Sequence, residues 1–387
     1  MDAATLKKRA LNVADMRRLA QRTLPRPVFD FADGGAEDEW TLRRNESAFD
    51  DIQLLPQPLR GSATRDLSIK LFGKTLSMPV MVGPTGLSGL LWPGGELCSA
   101  RATTAAGTAF CLSHGSVCTI EELAATGVAP HWMMVLVYRD RGLTREFIER
   151  AQATGYDALV LTIDNQITGN RERDIRNGFT IPPALGVREL AAMAIKVPWL
   201  WRMRNHLKRV NMWNYVKAGE VADLSHVSRR LGTILDPSLS WRDVDEVRKT
   251  WRGPLILKGV LHPDEARQAS DHGVDGIIVS NHGGRQLDSA ASGIEALPAV
   301  VEAVAGRMPV LVDGGIRRGA DVVKALALGA SACLIARPQL WGLAVAGEAG
   351  VSRVLEIFRS EIDRVMGFCG VTKVSEIGRD LIHRPRQ

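Results

Sequence analysis

PVLVDGGIRRGADVVKALALGASACLIARP, residues 309–338, holds one full period of the pattern from which the chain is built. Pro309–Val312 is apolar throughout, and a polar turn with two glycines follows it. Asp321–Leu328 then shows apolar residues at helical spacing and runs into Gly329, a residue suited to ending a helix. A second apolar run, Ala332–Ile335, comes directly after. Runs that are apolar at every position, rather than at every second one, belong to parallel strands covered on both faces.

Read upstream, the same short run recurs at Gly276–Val279, Pro254–Leu257, Ala158–Ile163, Trp132–Val137, Thr108–Leu112 and Pro79–Gly83, which makes eight. A helix predicted from Pro263-Asp264-Glu265 has proline in its first turn and acids at its positive end, and Gly273 stops it. Eight strand–helix units in one chain predict an α/β fold, a closed (β/α)8 TIM barrel, because an open doubly wound sheet usually needs fewer strands. The open sheet is the alternative. The expectation is one domain over residues 1–387. Residues 1–75 form an N-terminal helical cap, and residues 165–240 form a long insertion after the fourth strand.

Composition narrows the function classes. The chain is 45% hydrophobic and 24% charged, as expected of a globular enzyme rather than a disordered chain. Its net charge of +6 admits an anionic ligand or surface. Aromatic residues are only 5% and never alternate with arginine, which argues against nucleic acid. The five cysteines form no CxxC pair and no Cys/His cluster, so no metal is expected and a reducing, cytoplasmic compartment is. The N-terminal segment lacks an apolar signal core, and no run is long enough to span a membrane.

In a barrel of this kind the active site gathers at the C-terminal ends of the strands. The residues just past the eight runs are polar: Pro84-Thr85-Gly86, Ser113, Thr162 with Asp164, Lys258, Ser280-Asn281-His282, Asp313-Gly314-Gly315 and Arg337. His282 lies in SNHGGRQLD beside two glycines and Arg285, a setting that suits a working imidazole. DGGIRRG (313–319) and ARP (336–338) follow the last two strands, where barrels commonly hold phosphate. Gly314 and Gly315 allow close backbone approach, and Arg317 and Arg337 supply charge.

SNHGGRQLD, with LKGV before it and DGGIRRG after it, resembles the FMN-dependent 2-hydroxy acid oxidase and dehydrogenase family. The similarity extends from LPRPVFDFADGGAEDE (24–39) through RERDIRNGF (171–179) to GRDLIHRP (378–385). PTGLSGLLWPGGE (84–96) brings the chain closest to the mandelate dehydrogenase branch. The resemblance implies FMN as cofactor and oxidation of an L-2-hydroxy acid to the 2-oxo acid. It implies that His282 takes a proton from the substrate, that Arg285 and Arg171 clamp its carboxylate, and that Asp164 steadies the protonated imidazole. Lys258 would face the flavin where negative charge collects on reduction. Pro84, Thr85, Gly86, Ser113, Thr162 and Ser280 would line the flavin's polar edges. Asp313 would hold the ribityl chain, with Gly314, Gly315, Arg317, Ala336 and Arg337 around the phosphate.

Three positions depart from the family pattern. Phe31 stands where a carboxylate-binding tyrosine is expected, Met134 where a flavin-contacting glutamine is, and Leu136 where an active-site tyrosine is. Tyr138, one strand period beyond Leu136, is a candidate substitute. Loss of two hydroxyls makes the pocket more apolar, which predicts a bulky or aromatic, mandelate-like substrate. Two other readings are a flavin-binding protein with little activity on standard 2-hydroxy acids and an FMN-barrel isomerase.

Between Arg188 and Lys217 the insertion carries seven Lys/Arg against one acid, Glu189, interspersed with Trp199, Trp201, Trp213 and the apolar Leu190–Ile195. Basic residues with interfacial tryptophans suit a peripheral contact with a membrane surface, on the inner face of the cytoplasmic membrane. The structural alternative is a helix pair packed on the barrel or a subunit contact. Electrons would pass to quinone or oxygen, and the resemblance implies a homotetramer.

Overall fold

Short β-branched and leucine-rich runs make the strands, and polar turns with glycine separate them. The computed structural model describes residues 3–178, 194–210, 213–215 and 235–383. An antiparallel hairpin comes first, β1 (Ile69–Leu71) and β2 (Lys74–Leu76), turning through Phe72 and Gly73, both at positive φ as a two-residue hairpin turn requires. Eight parallel strands follow: β3 (Val80–Val82), β4 (Phe110–Ser113), β5 (His131–Val135), β6 (Ala158–Thr162), β7 (Leu255–Val260), β8 (Gly276–Val279), β9 (Val310–Asp313) and β10 (Ala332–Ile335). They close in sequence order, β10 pairing with β3. The eight runs read from sequence are these eight strands, and the open-sheet alternative is excluded.

Strand interiors are buried and apolar, as continuous apolar runs require. Phe72 at the hairpin tip closes the N-terminal end of the barrel. It packs edge-on to Trp132 with ring centroids 5.7 Å apart, and it reaches so near Gly276 that a β-carbon there would lie 2.6 Å from the ring. The opposite end stays open for chemistry. Register sets which side chains share a level there: Ser113 pairs with Met134, Thr162 with Lys258, and Asp313 with Leu334.

Helices Val13–Thr23, Arg26–Asp33 and Trp40–Ser47 precede the hairpin and pack against the barrel's outer helices and mouth. The amides of Asn45 and Asn281 exchange hydrogen bonds of 2.9 and 2.8 Å, which fixes the helix Trp40–Ser47 against the loop after β8.

Of the insertion, helix Val197–Met203 buries Trp199 and Met203, and Arg202 lies 3.9 Å above the Trp92 ring. Asn214 and Tyr215 are also buried. Residues 179–193 and 216–234, with Arg188, Glu189 and Lys217 among them, lie outside the described residues. No described helix is long and apolar enough to cross a membrane.

Candidate active site

A cleft of about 900 Å3, counted to its open mouth, lies at the C-terminal ends of the strands. Its walls include Pro84, Thr85 and Gly86 after β3, Lys258 of β7, and His282 and Arg285 after β8. Asp313, Gly314, Gly315 and Arg317 enter after β9, and Ala336 and Arg337 after β10. Phe31 and Met134 complete the apolar side. Most of the residues singled out from sequence therefore meet in one place.

His282 and Asp164 face each other, Nδ1 to Oδ1, at 3.0 Å. Burial pushes the imidazole below its ordinary value, and Lys258 and Arg171 add to this against the pull of Asp164. Burial pushes Asp164 the other way, but His282 and Lys258 outweigh it and hold its carboxyl below the usual range. At neutral pH the pair is thus a neutral imidazole beside a carboxylate, the state a base requires. A bulge in β7 makes room for it. Gly259 adopts φ +103°, and a β-carbon there would come within 2.7 Å of the Asp164 carboxyl carbon.

Lys258 is 3% exposed and donates to Ser280 Oγ at 2.9 Å, with Asp313 Oδ2 3.1 Å away. Burial alone would lower its pKa, but Asp313 and Asp164 keep it above the ordinary lysine value. The ammonium stays charged in a dry setting. Ser280 Oγ also accepts from the backbone N–H of His282 at 3.0 Å, so one hydroxyl contacts both the His282 backbone and Lys258.

Arginines also surround the cleft. Arg285 donates to the carbonyls of Phe31 at 2.8 Å and Gly34 at 2.9 Å, and it lies 5.4 Å from the Phe31 ring centroid. Arg171 reaches the Arg285 carbonyl and Gln286 Oε1, both at 3.5 Å. Arg337 donates to Gly283 O at 2.9 Å and Gly34 O at 2.8 Å. Burial, then the neighbouring Arg171 and Arg337, lowers the Arg285 pKa, while burial and Arg317 bring Arg337 down to about 10. Like charges crowded out of water create a field that bound anions relieve.

Residues 313–317 make a tight turn at the mouth of the cleft. Gly315 has φ +80°, and a β-carbon there would lie 1.7 Å from the Asn45 carbonyl oxygen. Arg317 is shared with Glu46 at 2.7 Å and lies 5.0 Å from the Trp341 ring centroid. Buried Thr162 Oγ1, Asp164 Oδ2, Asp313 Oδ1 and Arg337 Nε have no partner. Buried polar atoms are nearly always bonded, so their gathering at one cleft marks a place for a polar ligand. A phosphate on the glycine turn, hydroxyls against Asp313 and a polar ring edge at Thr162 and Lys258 would satisfy three of them. These residues fit FMN.

Some expectations need correction. Leu136 is not among the residues that line the cleft; β5 ends at Val135, and Leu136 beyond it is buried. Tyr138 cannot replace a lost hydroxyl by strand alternation, because the strand has ended. Its hydroxyl instead bonds that of Tyr215 at 2.8 Å. Ser113 accepts from Gly115 N at 3.2 Å, beside the cleft rather than in its wall. Sequence reading missed Asn45, Gln339, which donates to Thr85 Oγ1 at 3.1 Å, and His114, whose Nδ1 bonds the Tyr215 hydroxyl. None sits in a turn or motif that signals a site, though His114 directly follows Ser113 at a strand end.

Known proteins resemble this architecture closely. The L-lactate dehydrogenase of Stenotrophomonas maltophilia (strain R551-3) is 42% identical over 373 residues, 96% of this chain and 98% of that protein. The L-lactate dehydrogenase of Alcaligenes faecalis is 42% identical over 371 residues, with 96% and 98% covered. The crystal structure of (S)-mandelate dehydrogenase, described as a monotopic membrane protein, superposes with a TM-score of 0.93 at 37% identity, covering 97% of this chain and 100% of that one. Mandelate oxidase bound to (S)-2-phenylpropionate gives a TM-score of 0.81 at 36% identity, with 97% and 98% covered. The family model described as FMN-dependent dehydrogenase matches residues 20–384, which takes in every strand of the barrel and every wall of the cleft. Sequence and geometry agree, and the chain belongs to the FMN-dependent dehydrogenase family.

Proposed function

We propose that this FMN-dependent enzyme oxidises a 2-hydroxy acid with a bulky or aromatic side chain to the corresponding 2-oxo acid. The observation that carries the side-chain preference is the apolar wall of the cleft. Phe31 and Met134 face it where hydrogen-bonding side chains would favour a small polar acid. Arg285 and Arg171 would hold the substrate carboxylate; burial lowers both pKa values, and at Arg285 the neighbouring Arg171 and Arg337 add a positive field that a carboxylate relieves. His282 would take one proton from the substrate, and Asp164 would stabilise the imidazolium that results.

FMN, when bound, accepts the two electrons that leave the substrate. Gly314, Gly315, Arg317, Ala336 and Arg337 would hold its phosphate and Asp313 its ribityl chain. Pro84, Thr85, Gly86, Thr162 and Ser280 would meet the polar edges of the ring. Lys258 would sit where negative charge collects. The isomerase reading finds no support in the family match, and a base beside two carboxylate clamps suits oxidation better.

A second reading, a small acid such as lactate, is favoured by 42% identity to L-lactate dehydrogenases. Anaerobic mixing with a panel of 2-hydroxy acids tests both, since flavin bleaching reports the oxidation directly. Faster bleaching by mandelate than by lactate or glycolate is expected. Glycolate or lactate reacting well ahead of mandelate would refute the bulky-substrate reading, and colour that persists with every acid would favour an inactive flavin protein.

The insertion supports a peripheral membrane contact on the cytoplasmic side. Ile195, Val197 and Trp201 are 75%, 64% and 68% exposed, and Arg204 lies 3.7 Å above the Trp201 ring. An apolar face bordered by arginine is the composition of an interfacial helix. A homotetramer is the assembly we expect, with the residues before the barrel and the insertion acting as parts of one functional domain.

A further inference from the structure

Residues 34–39 join the helix Arg26–Asp33 to the helix Trp40–Ser47, and one carbonyl in this turn is shared. Gly34 O accepts from Arg285 Nη1 at 2.9 Å and from Arg337 Nη2 at 2.8 Å. The arginine assigned to the substrate carboxylate and the one assigned to the cofactor phosphate therefore meet at a single atom. Beyond it, the Ala36 N–H donates to Gly284 O at 2.8 Å, next to Arg285 in the chain. The Glu37 N–H donates to Asn170 O at 2.8 Å, next to Arg171.

Glu39 holds this turn. Its Oε1 accepts the Gly35 N–H at 2.8 Å, its Oε2 pairs with Arg173, and its side chain is 15% exposed. The packing is close: a β-carbon on Gly34 would lie 3.4 Å from Oε1, and one on Gly35 would lie 3.4 Å from Glu39 Cγ. Glu37 and Glu39 have φ of +47° and +58°, which residues other than glycine rarely adopt. Backbone of that kind persists only where its surroundings enforce it. Burial and the neighbouring arginines lower the pKa of Arg285 and Arg337, and Glu39 opposes the shift at both. Asp174 opposes it too at Arg285, and Asp33 and Glu46 do so at Arg337. The counter-charge is thus shared among several carboxylates, whereas the Gly35 N–H has Glu39 as its acceptor.

We propose that Glu39 is a positioning residue: by holding the Gly35 N–H it places the Gly34 carbonyl, and that carbonyl sets where Arg285 and Arg337 present their guanidinium groups. The Arg285 half rests on the 2-hydroxy acid reading given above, and the Arg337 half rests on FMN alone. Guanidinium binds carboxylate and phosphate through a rigid fork, so a displaced fork loses bonds as well as charge. Anchoring both arginines on one oxygen also fixes the spacing of two like charges that repulsion would otherwise widen.

Glu39→Ala removes the acceptor, whereas Glu39→Gln keeps an oxygen for the Gly35 N–H and gives up the charge. Calorimetric titration of the apoproteins with FMN measures cofactor binding. Absorbance titration of the oxidised holoenzymes with phenylglyoxylate, the 2-oxo acid of mandelate, measures carboxylate binding. Glu39→Ala should bind each ligand roughly tenfold more weakly than the parent, or worse. Glu39→Gln should stay within about threefold for both. Recovery in Glu39→Gln would set the Gly35 bond apart from the ion pair with Arg173, which both variants lose. Should Glu39→Ala fail to fold, Glu39→Asp, still charged but one methylene shorter, takes its place with the same expectation. Either ligand binding the shortened variant within about twofold of the parent, or equal losses in that variant and Glu39→Gln, would overturn the proposal. No binding of phenylglyoxylate by the parent would instead strike the bulky-substrate reading, and the FMN titration would still decide the role of Glu39.

Discussion

His282 and Asp164, 118 positions apart in the chain, are joined by a 3.0 Å contact between Nδ1 and Oδ1 at the floor of the active-site cleft. The imidazole therefore carries its own counter-charge. Burial holds the imidazole neutral until it takes a proton, and the carboxylate then favours the charged form.

This pairing predicts the acid limb of the pH profile. The imidazole must be neutral to act, and its folded-state pKa lies below the ordinary histidine value. Activity should rise as pH climbs through that lowered pKa and reach its plateau by neutral pH. Asp164→Asn removes a contribution that raises the imidazole pKa, so the limb should move to still lower pH while kcat falls by roughly 10²-fold or more. A kcat/KM profile of both proteins checks it; a limb that moves upward in the variant would contradict the pairing.

Lys258 and Asp313 form a buried pair 3.1 Å apart. Lys258→Met leaves Asp313 buried without its cation, which typically costs about 3–5 kcal/mol. Denaturant unfolding should register that loss, and equilibrium dialysis should show weaker FMN binding. Unaltered stability would mean that Asp313 finds another partner.

Gly315 and Gly306 separate crowding from backbone strain. Both have positive φ, but a β-carbon on Gly315 would strike the Asn45 carbonyl at 1.7 Å, while one on Gly306 meets nothing within 4 Å. Gly315→Ala should lose most of its bound flavin, whereas Gly306→Ala should lose about 1 kcal/mol of stability and keep its flavin. The flavin-to-protein absorbance ratio and a thermal melt distinguish them.

Phe31→Tyr places a hydroxyl beside Arg285 in the cleft. A hydrogen bond to a charged carboxylate contributes about 1.5–3 kcal/mol, enough to lower KM for a small acid roughly tenfold or more. Comparing lactate with mandelate in the parent and the variant checks this, and a gain confined to mandelate would argue against the proposed pocket.

Deleting residues 188–217 is a poor test of membrane contact, because Trp199, Met203, Asn214 and Tyr215 are buried against the barrel. Asn214 alone accepts from Ile120 N at 2.9 Å and donates to Ser116 Oγ at 2.9 Å. Changing the exposed Ile195, Val197 and Trp201 to serine should leave folding and dye-linked turnover intact and shift the protein off anionic vesicles in a flotation assay. Equal flotation of the triple variant would remove this face from consideration.

The chain alone determined the barrel, because continuous apolar runs broken by glycine and polar turns can be buried on both faces in only a few architectures. It also named most of the cleft, because in a parallel barrel the residue just past each run must emerge at one mouth. Local pattern could not foresee where a strand stops. Trp132–Val137 looks like one uninterrupted run, yet β5 ends at Val135, and beyond that boundary the Tyr138 hydroxyl bonds that of Tyr215. Nor could it foresee Asn45 or Gln339, whose partners are distant in the chain. Contacts of that kind depend on how helices and loops close over the mouth. Sequence periodicity records which face of an element is buried, and only the packed fold decides what that face meets.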